Sequence, residues 1–201
     1  IKGAESVAVL MPQVFSECTD IWMLIGSNLS VRDLLIMRNT STHKKIIVER
    51  ILVNWLNAEK ITPTDIRIYT VTDLINFFGE SCSQITKLDV QKFPQVTDSD
   101  IKNISKNFTK LNYLLLKNSV ITNKATVHLA KMLLLTSFSL SGCRHINDIS
   151  FLQHCKKLTS LDLSWCEHID DISFLQHCKF LTSLDLSGCE LINDFSFLQH
   201  C

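Results

Sequence analysis

Two hydrophobic periods alternate along the second half of the chain. In LTSLDLSWC (residues 158–166), Leu161 and Leu163 flank Asp162, and this alternation predicts a short strand buried on one face. In the DDISFLQHC that follows (170–178), Ile172, Leu175 and Cys178 fall three apart and Phe174 and Cys178 four apart. That spacing predicts a short helix with an inward stripe, capped by Asp170 or Asp171. The pair of elements then repeats. CKKLTSLDLSWCEHIDDISFLQH at 155–177 and CKFLTSLDLSGCELINDFSFLQH at 178–200 agree at 18 of 23 positions. Upstream the strand motif persists as LTSFSLSGC (135–143), LNYLLLKNS (111–119) and ITKLDVQKF (85–93), with steps of 26, 24, 23 and 23 residues between starting positions. One such unit cannot bury both of its halves, whereas a stack of like units closes a common core.

The unit LxxLxLxxC resembles the cysteine-containing class of leucine-rich repeat, in which Cys stands where Asn usually follows the strand. That resemblance covers residues 85–201, about five repeats with the last incomplete. It implies an α/β fold: a leucine-rich-repeat solenoid with a parallel sheet on its concave face and short helices on its convex face. Phe93 and Ser119 replace the cysteine in the first two units.

Residues 1–84 lack the repeat and read as a small all-helical domain over 1–60, then a linker or solenoid cap over 61–84. Helices are predicted at 31–38, 43–57 and 72–78, the second capped by Thr42, with ITPTDIRIY (61–69) as a short bridging strand. The segment MPQVFSECTDIWMLIGSNLSVRDLLIMRNTSTHKKI (11–46) resembles an F-box. Met11 and Pro12 match the start of that motif, Ile21, Leu24 and Ile25 its first helix, and Leu29, Ser30, Asp33, Leu34 and Leu35 its Leu-Ser-x-x-Asp-Leu step. Asn39 to His43 replace the family's Val-Cys-Lys/Arg-x-Trp segment. The resemblance implies that Pro12, Leu29, Leu34 and Leu35 contact a Skp-type adaptor. An F-box followed by such repeats implies the substrate-recognition subunit of a cullin-type ubiquitin ligase. The alternative is a leucine-rich-repeat scaffold with a helical cap and no ligase role.

Composition narrows the chemistry further. Lys plus Arg and Asp plus Glu both number 20, so no basic excess points to a nucleic-acid surface. No run approaches the length of uninterrupted apolar sequence that a membrane span needs. The chain opens IKGAESVAVLMP, without an initiator Met, and ends within a repeat, so it reads as a piece of a longer protein. Of eight cysteines, Cys143, Cys166 and Cys189 form one 23-residue register and Cys155, Cys178 and Cys201 another. Cysteines locked to a repeat are expected as free, buried thiols, which suits a reducing cytoplasmic or nuclear compartment. No cofactor or metal is expected, because CxxC clamps, HExxH and glycine-rich phosphate loops are absent.

The outward strand positions are Lys87, Asp89 and Gln91; Tyr113, Leu115 and Lys117; Ser137, Ser139 and Ser141; Ser160, Asp162 and Ser164; Ser183, Asp185 and Ser187. The serines recur only because the repeat recurs. His154, His177 and His200 repeat on the helical side, so no base is tied to them and no enzyme is expected. A protein target is expected on the concave face, at Tyr113, Leu115, Asp162, Trp165 and Asp185. Trp165 stands where the neighbouring units have Gly142 and Gly188.

Overall fold

The computed structural model describes residues 29–58 and 63–196, apart from the side chain of residue 43. The chain divides into two compact units, with the boundary between Ile61 and Thr62.

In the first unit, α1 (Val31–Arg38) and α2 (Thr42–Asn57) pack against each other. A reciprocal capping box starts α1: Asp33 N–H donates to Ser30 Oγ and Ser30 N–H to the Asp33 carboxylate. The cap of α2 is Ser41 rather than Thr42. Ser41 has extended backbone angles and its hydroxyl accepts from Lys44 N–H, which leaves Thr42 as the first helical residue. Leu34, Val48, Ile51 and Leu52 fill the core between the helices. Glu49 is buried there too, its carboxylate accepting from Arg38 Nε at 3.2 Å and Nη2 at 2.8 Å.

The second unit begins with a 3-10 turn at Pro63–Ile66, where a strand was expected. Pro63 fixes a turn-compatible φ, and Arg67 then takes a left-handed backbone angle (φ 60°), which an extended strand does not tolerate. Helix α3 (Val71–Phe78) and the 3-10 segment Gly79–Gln84 follow, burying Leu74, Phe78 and Cys82. Helix α3 packs on α4 (Asp98–Asn107), the helix of the first repeat.

From there the chain is a stack of five rungs. Strands β1 (Lys87–Asp89), β2 (Tyr113–Leu115), β3 (Ser137–Ser139), β4 (Ser160–Asp162) and β5 (Ser183–Asp185) form one parallel sheet in sequential order. Equivalent repeat positions are aligned: Leu88 beside Leu114, then Phe138, Leu161 and Leu184. The expected α/β leucine-rich-repeat solenoid is the architecture observed.

The return segments shorten with the repeat. The first rung, 26 residues, carries the ten-residue α4. The second, 24 residues, carries a 3-10 turn at Asn123–Ala125 and the four-residue α5 (Thr126–Leu129). The rungs of 23 residues carry only five-residue 3-10 helices, Ser150–His154 and Ser173–His177, where a short α-helix was expected. A 3-10 helix rises about 2.0 Å per residue against about 1.5 Å in an α-helix. Fewer residues therefore cross the same rung. Neither aspartate expected as a cap is the N-cap residue, which is Ile172; Asp171, one residue earlier, still accepts Ser173 N–H at 2.8 Å, as Asp148 does for Ser150 at 2.9 Å.

The cysteines form an internal ladder. Cys143, Cys166 and Cys189 donate S–H to the carbonyls of Leu116, Leu140 and Leu163 in the preceding rung, at 3.1, 3.1 and 3.0 Å. Cys178 donates to Leu152 at 3.4 Å. These four, Cys82 and Cys155 are free and buried. Burial pushes the thiols of Cys143, Cys155 and Cys166 up from 9.0 to about 12. Below pH 9 both folded and unfolded states keep these protons, so stability is flat. Between pH 9 and 12 the unfolded state ionises first, and stability falls by about 1.4 kcal/mol per pH unit for each such thiol. Urea midpoints measured at pH 8, 10 and 11 should therefore fall more steeply for the wild type than for the C143A/C166A variant. Equal slopes would contradict the ladder.

Candidate interaction face

Alternation along each strand divides the side chains cleanly. Leu88, Leu114, Phe138 and Leu161 point into the core, while Lys87, Asp89, Tyr113, Leu115, Ser137, Ser160 and Asp162 remain partly accessible on the other side. Asp185 is exposed on the last strand. Tyr113 and Leu115 share the face of β2, and Lys87 Nζ lies 5.7 Å from the centroid of the Tyr113 ring.

The middle of the face closes on itself. Ser139, Ser141 and Ser164 were expected to be open to solvent, yet all three are buried. Ser139 Oγ donates to Asp162 Oδ2 at 2.9 Å, and Ser164 N–H donates to Asp162 Oδ1 at 3.0 Å. The hydroxyls of Ser164 and Ser141 are 2.9 Å apart, and Ser164 Oγ lies 2.6 Å from Asp162 Oδ1. Strands about 4.8 Å apart bring such short side chains into mutual contact, so they shield one another. The Asp162 carboxylate thus organises three serines across two rungs. Asp185 is freer: Ser187 is its partner, with N–H to Oδ1 at 2.9 Å, and bonds from Ser187 lower its pKa.

Trp165 sits in the turn that leaves β4, with a left-handed backbone (φ 59°). Gly142 and Gly188 adopt the same region at φ 70° and 77°, and Asn118 at 56°. The geometry recurs with a bond to the next rung: Asn118 N–H donates to Ser141 O, Gly142 to Ser164 O and Trp165 to Ser187 O, at 2.7 to 2.8 Å. Side chains at this position lean toward the following rung. A Cβ on Gly188 would lie 2.9 Å from Trp165 Cε3, and one on Gly142 would meet Asn118 Oδ1. A residue with a side chain is therefore followed by a glycine. The glycines at 142 and 188 announced the left-handed turn in the sequence, and the indole's seat follows from that turn.

The residues matched to the F-box motif divide by burial. Leu34 is fully buried in the core of the first unit, while Leu29 and Leu35 are half-buried. Pro12 lies outside the described residues, as do Met11, Ile21, Leu24 and Ile25.

Catalytic chemistry is not assembled on the face. Ser139, Ser141 and Ser164 are bonded within the Asp162 network, with no histidine hydrogen-bonded to them among the described residues. Among those residues, too, no group of three His, Cys, Asp or Glu side chains could hold a metal ion. A cleft of about 260 Å³ opens beside Tyr69, Thr70, Phe93 and Pro94. Its one carboxylate, Asp100, is already tied to Thr97 N–H and Oγ1 at 2.9 and 2.8 Å in the cap of α4. No helix among the described residues is long and apolar enough to cross a membrane.

Known proteins match this geometry in fold. A leucine-rich-repeat family model matches residues 154–172 and 177–194. Internalin C2 from Listeria monocytogenes aligns with 90% of this chain and 86% of its own, at 22% identity and a TM-score of 0.55. An internalin (inlF) of the same organism aligns with 90% of this chain and 71% of its own, at 14% identity and a TM-score of 0.46. No curated protein matches the sequence. The fold is that of the leucine-rich-repeat solenoids. The family match falls wholly within the repeats, so the F-box resemblance stands on the residues quoted for it and nothing more.

Proposed function

We propose that the protein is a non-catalytic binding scaffold whose strand face takes a protein partner. One observation carries this reading. On a sheet whose centre is a self-satisfied serine–aspartate network, Tyr113 and Leu115 present adjacent, partly accessible apolar surface on β2. Covering such a face costs little, because its hydroxyls already have partners, and the gain comes from desolvating the two large groups. Tyr113, Leu115, Trp165 and Asp185 are the proposed contacts. Asp162 acts mainly by holding the serine floor in place. Buried thiols donating to backbone carbonyls suit a reducing cytoplasmic or nuclear setting.

The test is equilibrium binding of a partner captured with the wild-type chain. Leu115→Asp puts a charge into the contact and should weaken binding at least tenfold, which corresponds to about 1.4 kcal/mol. Gln176→Ala, on the exposed helix side, should leave it unchanged. The reverse pattern would refute the strand-face reading.

The narrower reading, a cullin-ligase substrate-recognition subunit, draws support from α1. Ile36 is exposed there and Leu35 half-buried, next to the Ser30–Asp33 capping box. With Leu34 committed to the core, a Skp-type adaptor would have to be met by Leu29, Leu35 and Ile36. Micromolar binding of that adaptor, lost in Ile36→Asp, supports the ligase role. No binding removes that role and leaves the scaffold untouched.

A further inference from the structure

Trp165 departs from the solenoid's own rules. The same place in the neighbouring rungs is taken by glycine, and in the second rung by Asn118, the two residue types that accept a left-handed backbone most readily. Tryptophan has no such tolerance, so its backbone is strained there. Burial does not explain its presence, because the residue is 58% exposed. Its ring leans over Gly188, where any Cβ would collide with it. On the preceding rung the position is again a glycine, Gly142, which carries no side chain to cover the indole. The result is an aromatic plate standing between two glycines.

Charge around the plate is mostly acidic. Asp185 is exposed on β5, and Glu167 and Glu190 follow Trp165 and Gly188 by two residues each. Arg144, one rung earlier, pairs with Glu167 at 3.2 Å. Among the described residues no ion pair engages Glu190. The lysines of these rungs, Lys156, Lys157 and Lys179, precede the strands and so lie at their opposite ends. At the other end of the sheet the face carries Lys87 and Lys117 with Tyr113. The strand face is thus polarised, acidic and aromatic at rungs four and five, while rungs one and two carry two lysines against the one carboxylate of Asp89.

We infer that Trp165 is a binding residue for a cationic side chain, and that the partner docks a basic polypeptide segment over rungs four and five. The Lys or Arg head lies on the indole face, where the ring quadrupole attracts it, and Glu190 and Asp185 supply the counter-charge. This rests on the strand-face reading and adds the chemistry and polarity of the partner.

The experiment uses the whole chain and two labelled ten-residue probes, one alternating Arg and Ser, the other Glu and Ser. Binding is read by anisotropy and by Trp fluorescence, in wild type, W165G, W165N and E190Q. Wild type is expected to bind the Arg probe and not the Glu probe, with affinity falling as salt rises. W165G and W165N should lose at least tenfold in affinity while keeping a urea midpoint at or above the wild type's, because Gly and Asn already occupy this seat in other rungs. E190Q should lose severalfold. A clear drop of the midpoint in both Trp165 variants would make the indole a structural element and overturn the inference. So would equal binding of the two probes, no binding of the Arg probe at millimolar concentration, or unchanged binding in W165G. Failure here, with Leu115→Asp still disrupting partner capture, would leave the scaffold reading standing. Loss of the Leu115 effect as well would remove both.

Discussion

Leu161→Ala should destabilise the repeat unit by about 3 kcal/mol, within the range for emptying a fully buried leucine site. Leu161 is 1% exposed and its strand lies between Phe138 and Leu184, so the cavity would open between three rungs. In a stack held by nearest neighbours, weakening one interface uncouples what lies beyond it. Hydrogen exchange should show β4 and β5 losing protection ahead of β1 and β2. The same substitution at Leu184, which is half-buried, should cost less than half as much in urea denaturation. Equal losses at the two positions would mean that the rungs do not share a continuous core.

Arg38→Ala carries the second large effect. Glu49 is 6% exposed and its Oε1 takes two bonds from Arg38, while Lys45 Nζ stands off at 3.9 Å. Taking away the guanidinium strands a buried carboxylate with a distant, half-exposed lysine. Such a loss costs about 3 kcal/mol, because the desolvation of the remaining charge is no longer offset. It should show as lower thermal stability and lost exchange protection within residues 31–57. Replacing both partners by leucine should restore most of the loss, since an apolar pair of similar size leaves no charge behind. If Arg38→Ala has no effect, Glu49 must be reaching water in solution.

Much of the repeat unit could be read from its residues because two independent periods agree there. The Leu161–Asp162–Leu163 alternation and the 23-residue step each call for the same strand, and the register of Leu114, Phe138, Leu161 and Leu184 follows from both. The return segments were harder to read. Spacings of three between Ile172, Leu175 and Cys178 and of four between Phe174 and Cys178 suit a 3-10 helix and an α-helix in turn, and the shorter rung decides between them. The buried serines escaped for a different reason. Alternation tells which way Ser139 and Ser164 point, but their burial comes from Asp162 and from serines one rung away. At Ser41 and Thr42 two adjacent cap-forming residues compete, and only the backbone angles choose. The replacement of glycine by Trp165 was visible in the sequence; that it costs backbone strain required the φ angle of 59°.

The most direct measurement places a photo-crosslinking amino acid at position 115 on the strand face or at position 177 on the helix side, in otherwise wild-type chains offered the captured partner. A scaffold that binds through its strand face predicts a covalent adduct from position 115 and none from position 177. An adduct from position 177 with position 115 silent would contradict it.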